Sequence, residues 1–312
     1  MRRAIVTGGA GFIGSHLVDR LVTEGWEVIV LDNMHTGQIE NINPAATFIK
    51  VDVGNPDDFS KIPGDGVDVV FHLAAQSSGE ASFDNPYVDF RTNAGGTLLM
   101  LEWCRQHAVK RFIYTSSMAV YGINSSEPLG EDDPCRPLSF YGAAKLASEG
   151  YCRLYDTLGL ETTIIRPFNV YGSRQNLSNM KQGMASIYMA YLLRNEPIVV
   201  KGDLDRFRDQ THISDVVEGF MCCVDEPAAY GNTYNIATGR KTTVRSLIRS
   251  ILLAAGREPA DYTVQGAPGT PGDIFGCYAD ISKASNDLGW QPVTELNDGL
   301  REMYRYYSRS DT

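Results

Sequence analysis

RAIVTGGAGFIGSH, residues 3–16, joins an apolar, strand-like run to a helical pattern through a glycine-rich turn. Gly8, Gly11 and Gly14 stand three residues apart, directly after the strand. Glycines at these positions permit a tight turn, let backbone N–H groups approach a diphosphate, and let the helix pack closely on the strand. The helix N-terminus offers the positive end of its dipole to such an anion. Because any close strand–helix turn can carry this pattern, it indicates a dinucleotide site only together with other features.

Asp32 supplies the second feature, at the end of the next strand-like run, 24 residues after Gly8. A carboxylate there can accept both hydroxyls of an adenosine ribose and would repel a 2′-phosphate. No Arg or Lys follows at 33–37 to receive such a phosphate. Asp32 alone could be a solvated carboxylate at a strand end, but the glycines and Asp32 together predict NAD, in preference to NADP.

Strand-like and helix-like runs alternate outward from this turn. The strand-like runs lie at 3–7, 27–31, 47–51, 67–73, 111–115 and 162–166, and the helical patterns lie at 11–23, 91–107 and 140–158. Such alternation is typical of βαβ units, whose right-handed crossovers place helices on both faces of a parallel sheet. The sequence therefore predicts an α/β fold with a Rossmann-type, doubly wound parallel sheet. His72, inside VVFHLAA, is interpreted as a core residue.

The regular alternation of strand-like and helix-like runs ends after residue 172. We predict a strand at 233–236, a Gly/Pro-rich loop at 266–276, and helices at 183–194, 214–225, 243–255 and 295–307. The segment at about 211–237 is expected to return to the first sheet. The predicted domains are thus an NAD-binding domain, 1–172 with that returning segment, and a smaller, largely C-terminal substrate domain, 173–210 with 238–312.

Composition excludes several classes of protein. The 312 residues carry a net charge of −10, whereas nucleic-acid binding needs clustered Lys and Arg. The six cysteines show neither CxxC spacing nor nearby His ligands, so we predict reduced thiols and no metal site. No apolar run is long enough for a signal-peptide core or a membrane span. We expect a soluble, cytoplasmic protein that binds neither nucleic acid nor membrane.

A candidate catalytic pair lies in SFYGAAKLASEG, residues 139–150. Tyr141 and Lys145 are four residues apart and hence on one face of a helix. An ammonium beside a phenol favours the phenolate, so we expect Tyr141 to act as a base below its ordinary pKa near 10. An amphipathic helix with a surface lysine would carry the same pair. Ser117, at the end of the fifth strand, can hydrogen-bond the same substrate hydroxyl.

These motifs have a resemblance that covers essentially the whole chain. In order and spacing, TGGAGFIG, Asp32, HLAA, Asn93 before GGT, TSSMAVYG, YGAAK and RPFNVYG resemble the extended short-chain dehydrogenase/reductase family. The chain looks most like the UDP-glucose 4-epimerase branch of its nucleotide-sugar epimerases and dehydratases. The resemblance implies a catalytic triad of Ser117, Tyr141 and Lys145, with Lys145 also holding the nicotinamide ribose and Asn93 holding the active-site helix beside the cofactor.

The residues expected to contact NAD lie mainly at the carboxyl ends of the strands. They are Gly8, Gly11, Phe12, Ile13, Gly14, Asp32, Asn33, Thr36, Gly37, Asp52, Val53, Leu73, Ala74, Ala75, Gln76, Asn93, Thr115, Tyr141, Lys145 and Phe168.

The resemblance also implies a nucleotide-sugar substrate of the UDP-hexose type. Its expected contacts are Ser117, Tyr141, Asn169 at the diphosphate, Val200, Arg208 at phosphate, Asp273 at the nucleoside ribose, and Cys277 near the C2 substituent of the sugar. Arg208 could instead form a surface ion pair with Asp205 or Asp209.

Two positions depart from the family pattern. Thr270 stands where a second phosphate-binding Arg is common, which leaves Arg206 as a candidate replacement. Cys277 is smaller than the Tyr often found there, which suggests that N-acetylated sugars fit.

The choice of reaction depends on Met118 and Ala119. Related 4,6-dehydratases carry Asp-Glu at these positions and related decarboxylases usually keep the Glu, because elimination needs an acid and a base. Met118 and Ala119 can be neither, so we predict an NAD-dependent 4-epimerase that works through a transient 4-keto sugar. The alternatives are a dehydratase, a decarboxylase or another NAD-dependent sugar oxidoreductase, and, in a different class, a non-catalytic NAD-binding regulator.

The resemblance further suggests a homodimer built on the helices at 91–107 and 140–158, packed as a four-helix bundle. The apolar stripe of Leu98, Leu101, Leu154 and Leu158 is equally consistent with the core of a single chain.

Overall fold

The computed structural model describes residues 1–123, 127–181, 183–269 and 274–310, except the side chains of residues 261 and 310. The strands are β1 Arg3–Thr7, β2 Glu27–Asp32, β3 Thr47–Lys50, β4 Val69–His72, β5 Arg111–Thr115, β6 Glu161–Pro167, β7 Val170–Tyr171, β8 Ile198–Lys201, β9 Phe207–Arg208, β10 Thr211–His212, β11 Thr233–Ile236, β12 Thr242–Thr243 and β13 Val264–Ala267. The α-helices are α1 Phe12–Thr23, α2 Gly79–Ser82, α3 Pro86–Phe90, α4 Gly96–Gln106, α5 Phe140–Thr157, α6 Met184–Leu193, α7 Ile213–Cys222, α8 Val244–Ala254, α9 Ser282–Leu288 and α10 Leu296–Ser310. One π-helical turn, Arg91–Gly95, joins α3 to α4.

Seven strands form one parallel sheet in the order β11-β6-β5-β4-β1-β2-β3. Successive side chains of β1 enter different apolar clusters: Ala4 and Val6 pack with α1 and α7, and Ile5 packs with α4 and α5. Both faces are therefore buried, which explains why the strands read as continuous apolar runs. The predicted Rossmann-type α/β fold is confirmed.

The strand predicted at 233–236 is β11, which pairs in parallel with β6 at the edge of this sheet. Helix α7, just before it along the chain, packs on α1. A further apolar cluster joins α6, α8 and α10 to β8. The division into two domains with the boundaries given above stays a prediction.

The first correction concerns the helix predicted at 91–107. Helical structure begins earlier, at Pro86, because the Asn85 side chain accepts a hydrogen bond from the backbone N–H of Val88 and Pro86 occupies the first turn. The wider π turn then interrupts the α-helix before Gly96. The Asn-Pro pair was the available sequence signal for this start.

The second correction concerns the loop predicted at 266–276. Its first two residues belong to β13, in which Gly266 pairs with Val200 and Ala267 with Lys201 of β8. The partner strand lies more than 60 residues away along the chain, so local turn chemistry does not reveal the pairing.

No helix in the described ranges is both long and apolar enough to cross a lipid bilayer.

Candidate active site

The glycine-rich turn between β1 and α1 has no room for a side chain at Gly8 or Gly14. Gly8 has a φ of +70°, and its N–H donates to the carbonyl of Leu31 at 2.7 Å. A Cβ on Gly14 would lie 2.2 Å from the Gly8 oxygen, and one on Gly8 would lie 2.8 Å from the Ala74 nitrogen. Gly11, at the N-cap of α1, gives no side-chain cap, so the first N–H groups of the helix remain for a ligand or water. Phe12 and Ile13 form that first turn.

Asp32 lies at the carboxyl end of β2, as predicted. Its carboxylate accepts hydrogen bonds from the backbone N–H groups of Ala10 at 3.1 Å and Met34 at 2.8 Å, and burial raises its pKa above the ordinary value. Gly37 comes so close that a Cβ on it would lie 2.9 Å from Asp32 Oδ1. Asn33 and Thr36 are exposed beside this carboxylate. The arrangement fits a ribose, because each carboxylate oxygen keeps a lone pair for a hydroxyl donor.

Asp52 and Val53 follow β3. Asp52 accepts from the backbone N–H of Gly54 at 2.9 Å and from the Arg91 guanidinium at 3.2 Å, and the Val53 side chain is buried. Val53 also lies against the start of α4, since a Cβ on Gly96 would be 2.9 Å from its Cγ2.

Leu73, Ala74, Ala75 and Gln76 follow β4, beside the glycine turn. The Thr7 hydroxyl accepts from the N–H groups of Leu73 at 3.1 Å and Ala74 at 3.0 Å, and it lies 2.8 Å from His72 Nδ1. With both lone pairs used, the hydroxyl donates to Nδ1, which assigns the His72 proton to Nε2. Burial lowers the pKa of His72 to about 3, in agreement with its interpretation as a core residue.

Asn93 lies in the π turn and is tied to Gln76. Its amide accepts from the Gln76 N–H at 2.9 Å and donates to the Gln76 carbonyl at 2.9 Å and to Asp89 Oδ1 at 3.0 Å. Its own carbonyl accepts from Ser148 of α5 at 3.1 Å. The predicted role of Asn93 in holding the active-site helix is consistent with this link, although it runs through the backbone carbonyl.

The three predicted catalytic residues come together where β5 ends against α5. Tyr141 and Lys145 are buried on α5, which Ser139 caps by accepting from the Gly142 N–H at 3.1 Å. Lys145 Nζ donates to the Thr115 carbonyl at 2.6 Å and lies 5.9 Å from the centre of the Tyr141 ring. Ser117 is half-buried at the strand end and hydrogen-bonds the phenol.

The expected acidity of Tyr141 is wrong for the polypeptide by itself. Burial raises the pKa of Tyr141 to about 12; the hydrogen bond with Ser117 opposes this rise and the Asp89 carboxylate adds to it. Burial also lowers the pKa of Lys145 to about 8. Both side chains are desolvated, and the Lys145 ammonium donates to Thr115. The four-residue spacing of Tyr141 and Lys145 therefore does not by itself lower the pKa of Tyr141.

A buried ionic network behind this site was missed from the sequence. Glu149, one turn after Lys145, accepts from Ser116 Oγ at 2.6 Å and from two guanidinium nitrogens of Arg166 at 2.8 and 2.7 Å. Arg166 also donates to the Tyr121 hydroxyl at 2.9 Å. The four-residue spacing places Glu149 on the same helix face as Lys145 and could have indicated a buried carboxylate. Its partner Arg166 lies on β6, and no local pattern in the sequence indicates that pairing.

On the substrate side, Asn169 is half-buried after β6, and its side-chain oxygen has no hydrogen-bond partner among the described residues. The Phe168 and Val200 side chains are buried in apolar clusters, so only their backbones could meet a ligand. Cys277 is 2% exposed, and its thiol lies 3.7 Å from the Met118 sulfur, which places it beside the strand end that carries Ser117.

Arg208 is 5% exposed, so its interpretation as a surface ion pair is wrong. Its guanidinium donates to the carbonyls of Phe207 at 2.7 Å, Ile274 at 2.8 Å and Phe275 at 3.3 Å. Asp209 instead accepts from the N–H groups of Thr238 and Gly239, both at 2.8 Å. The predicted contact of Arg208 with phosphate stays a prediction.

Arg206 is also buried and hydrogen-bonds Tyr188. Thr270 and Asp273 lie outside the described residues. Within the described part of the chain, no group of three or more His, Cys, Asp or Glu side chains is placed to hold a metal ion.

Comparisons with known proteins found one family and relatives with two named activities. A family model described as "NAD dependent epimerase/dehydratase family" matches residues 4–237. The UDP-glucose 4-epimerase of Mycolicibacterium smegmatis is 36% identical over 314 residues, 98% of each chain. UDP-glucuronic acid decarboxylase 1 of Arabidopsis thaliana is 34% identical over 314 residues, 96% of this chain and 68% of the relative. The solved structure of UDP-glucose 4-epimerase with UDP-glucose from Thermotoga maritima has a TM-score of 0.95 and 34% identity, over 99% of this chain and 100% of that one.

Proposed function

The chain belongs to the NAD dependent epimerase/dehydratase family, and from this premise we propose that it is an NAD-dependent 4-epimerase of a UDP-hexose. The observation that carries the proposal is the meeting of Ser117, Tyr141 and Lys145 at the end of β5, where the next two residues are Met118 and Ala119. Relatives named UDP-glucose 4-epimerase over nearly the whole chain support it.

The residues present fit NAD, as the family description requires. The Gly8–Gly14 turn leaves N–H groups for a diphosphate, and Asp32 offers carboxylate oxygens to ribose hydroxyls. We propose that Lys145 also holds the second ribose. When bound, NAD supplies the acceptor and later the donor of the hydride at C4, together with a positive charge.

The chain's own part of the reaction is proton transfer at O4 of the sugar. Tyr141, as its phenolate, removes the proton of the C4 hydroxyl, and Ser117 donates a hydrogen bond to the same oxygen. The resulting 4-keto sugar must present its other face before Tyr141 returns the proton to O4. Asn169 is the proposed contact at the diphosphate during this turn, through its amide N–H groups, because the phosphate oxygens accept hydrogen bonds.

The alternatives meet a chemical obstacle. Neither Met118 nor Ala119 can protonate a leaving hydroxyl or remove a C5 proton, which counts against a dehydratase and against a decarboxylase of the usual type, although decarboxylases occur among the relatives. A non-catalytic regulator would not need the buried Tyr141–Lys145 pair with Ser117.

The test is an assay of the purified chain with UDP-galactose and NAD, with the product read by NMR. We expect UDP-glucose to form with no net NADH. UDP-N-acetylglucosamine belongs in the same panel because Cys277 suggests room at C2, and UDP-glucuronic acid belongs in it because it tests the decarboxylase alternative. Inactivity with all UDP-hexoses, or release of CO2 from UDP-glucuronic acid, would contradict the proposal.

We propose in addition that the protein is a homodimer. Leu98 on α4, Leu154 on α5 and Leu158 just after α5 are 40%, 61% and 66% exposed, whereas Leu101 belongs to the core. Large apolar side chains exposed on α3, α5 and the turn after α2 accompany them: Phe83, Tyr87, Phe90 and Phe140. We expect light scattering to give the mass of a dimer for wild type and of a monomer for Leu154→Glu. A monomeric wild type would contradict the proposal.

A cytoplasmic location and a place in galactose metabolism complete the proposal. All six cysteines are free thiols, as suits a reducing compartment. Fractionation of the source cells, and galactose sensitivity of cells lacking the gene, test the two points separately.

A further inference from the structure

Asp89 is a fully buried carboxyl group to which the reaction above gives no role. It lies in α3, just before the π turn, and is 0% exposed. Its Oδ1 accepts hydrogen bonds from Gln76 Nε2 at 2.8 Å and Asn93 Nδ2 at 3.0 Å. Its Oδ2 has no hydrogen-bond partner among the described residues. A buried charge in this condition is costly to the fold.

The fold does not need that charge. Gln76 Nε2 also donates to the carbonyl of Ser78 at 2.9 Å, and Asn93 Nδ2 also donates to the carbonyl of Gln76 at 2.9 Å. A neutral oxygen at position 89 would serve both amides as well as a carboxylate does. Burial raises the pKa of the Asp89 carboxyl, whereas the two amides and the Lys145 ammonium lower it, so its negative charge calls for an explanation beyond these hydrogen bonds.

The charge acts on the catalytic pair. Helix α3 packs on α5, and of the charges that oppose the desolvation of Lys145, that of Asp89 is the largest. Asp89 also raises the pKa of Tyr141. Glu149, the other carboxylate acting on Lys145, is already bound by Arg166 and Arg153.

The remaining groups that face Lys145 carry little charge. Burial raises the pKa of the Cys152 thiol on α5, and His72 on β4 is neutral because burial lowers its pKa to about 3. The Tyr114 ring on β5 lies 4.9 Å from Lys145 Nζ. Asp89 thus provides the counter-charge that is not offset by an arginine.

We propose that Asp89 is a positioning residue that keeps Lys145 charged inside the closed site and so sets the pH range in which Tyr141 and Lys145 work together. The inference rests on the proposed epimerase function. Without the carboxylate, Lys145 loses its proton at lower pH, and Tyr141 reaches its phenolate form at lower pH as well. Both limbs of the pH–rate profile then move in the acid direction.

The test is Asp89→Asn in the NAD-loaded enzyme, compared with Asp84→Asn. Asp84 is an exposed carboxylate between α2 and α3 that pairs with Lys181 at 2.7 Å, so it controls for the loss of one charge in this segment. For Asp89→Asn we expect an unchanged or higher Tm, both limbs at lower pH, and an alkaline loss of kcat that begins at lower pH than in wild type, because Lys145 gives up its proton earlier. Asp84→Asn should leave both limbs in place.

A second measurement follows the Lys145 side chain directly, by the pH titration of its 13Cε NMR signal. The midpoint should be lower in Asp89→Asn than in wild type. Unmoved limbs with an unmoved midpoint would overturn the inference, and so would unfolding of the variant, since the carboxylate would then be structural. Absence of epimerisation by the wild type would instead refute the proposed function, while the NMR comparison would still judge Asp89.

Discussion

The proposed chemistry depends on the protonation state of one residue, Tyr141. Its surroundings hold the proton, since burial raises its pKa to about 12, and the Ser117 hydrogen bond only partly offsets that effect. The chain by itself therefore favours the phenol, and the positive charge that bound NAD would bring favours the phenolate. This makes the activity depend on cofactor occupancy as well as on pH.

Tyr141→Phe should lower kcat by about 100- to 10,000-fold, because it removes the proton acceptor, while NAD binding stays near the wild-type value. The matched control is Tyr155→Phe on the same helix, whose hydroxyl donates to Glu102 at 2.9 Å. Steady-state kinetics and NAD titration by calorimetry give the two readings. Turnover by Tyr141→Phe close to that of wild type would assign the proton transfer to another group.

Helix α1 and the turn before it determine cofactor binding at the scale of an element. The approach of Gly14 to the Gly8 carbonyl lets α1 start directly behind β1, so its N-terminus faces the ends of the strands. On the other side of the site, α5 brings Tyr141, Lys145 and Glu149 to one face at four-residue intervals.

Gly14→Ala should weaken NAD binding at least about 100-fold, because its Cβ would lie 2.2 Å from a backbone oxygen that cannot move aside as a side chain would. Gly150→Ala is the control, since its Cβ meets nothing within 4 Å. Calorimetric titration with NAD measures both. Wild-type affinity in Gly14→Ala would show that the turn does not cradle the diphosphate.

At the scale of the whole molecule, the order of the strands places the site. The chain leaves β1 towards β2 and β3 on one side, and continues through β4, β5 and β6 on the other. The carboxyl ends of parallel strands open a crevice where this order reverses, between β1 and β4. The predicted NAD contacts and the Ser117–Tyr141 pair lie along that one edge.

The buried Glu149–Arg166 pair joins α5 to β6 at this edge. Glu149→Gln should lower the free energy of unfolding by about 3–5 kcal/mol, because it leaves the Arg166 charge buried without its partner. Glu161→Gln is the matched control, since its pair with Arg111 is partly exposed at 3.1 Å and should contribute less than about 1 kcal/mol. Urea unfolding compares them. Equal losses in the two variants would mean that the buried network does not stabilise the fold.

The sequence by itself determined the sheet, the glycine turn, Asp32 and the Tyr141–Lys145 pair, because these depend on local periodicity and on spacings of a few residues. Only the tertiary structure decided the acidity of Tyr141, the charge environment of Lys145, the burial of Arg208 and the place of Cys277 beside Met118. These depend on desolvation and on partners distant in the chain, such as Ser116 with Glu149, 33 residues apart, and Cys277 with Met118, 159 residues apart. A pattern of neighbours carries no record of such contacts, since they exist only after the chain has closed around them.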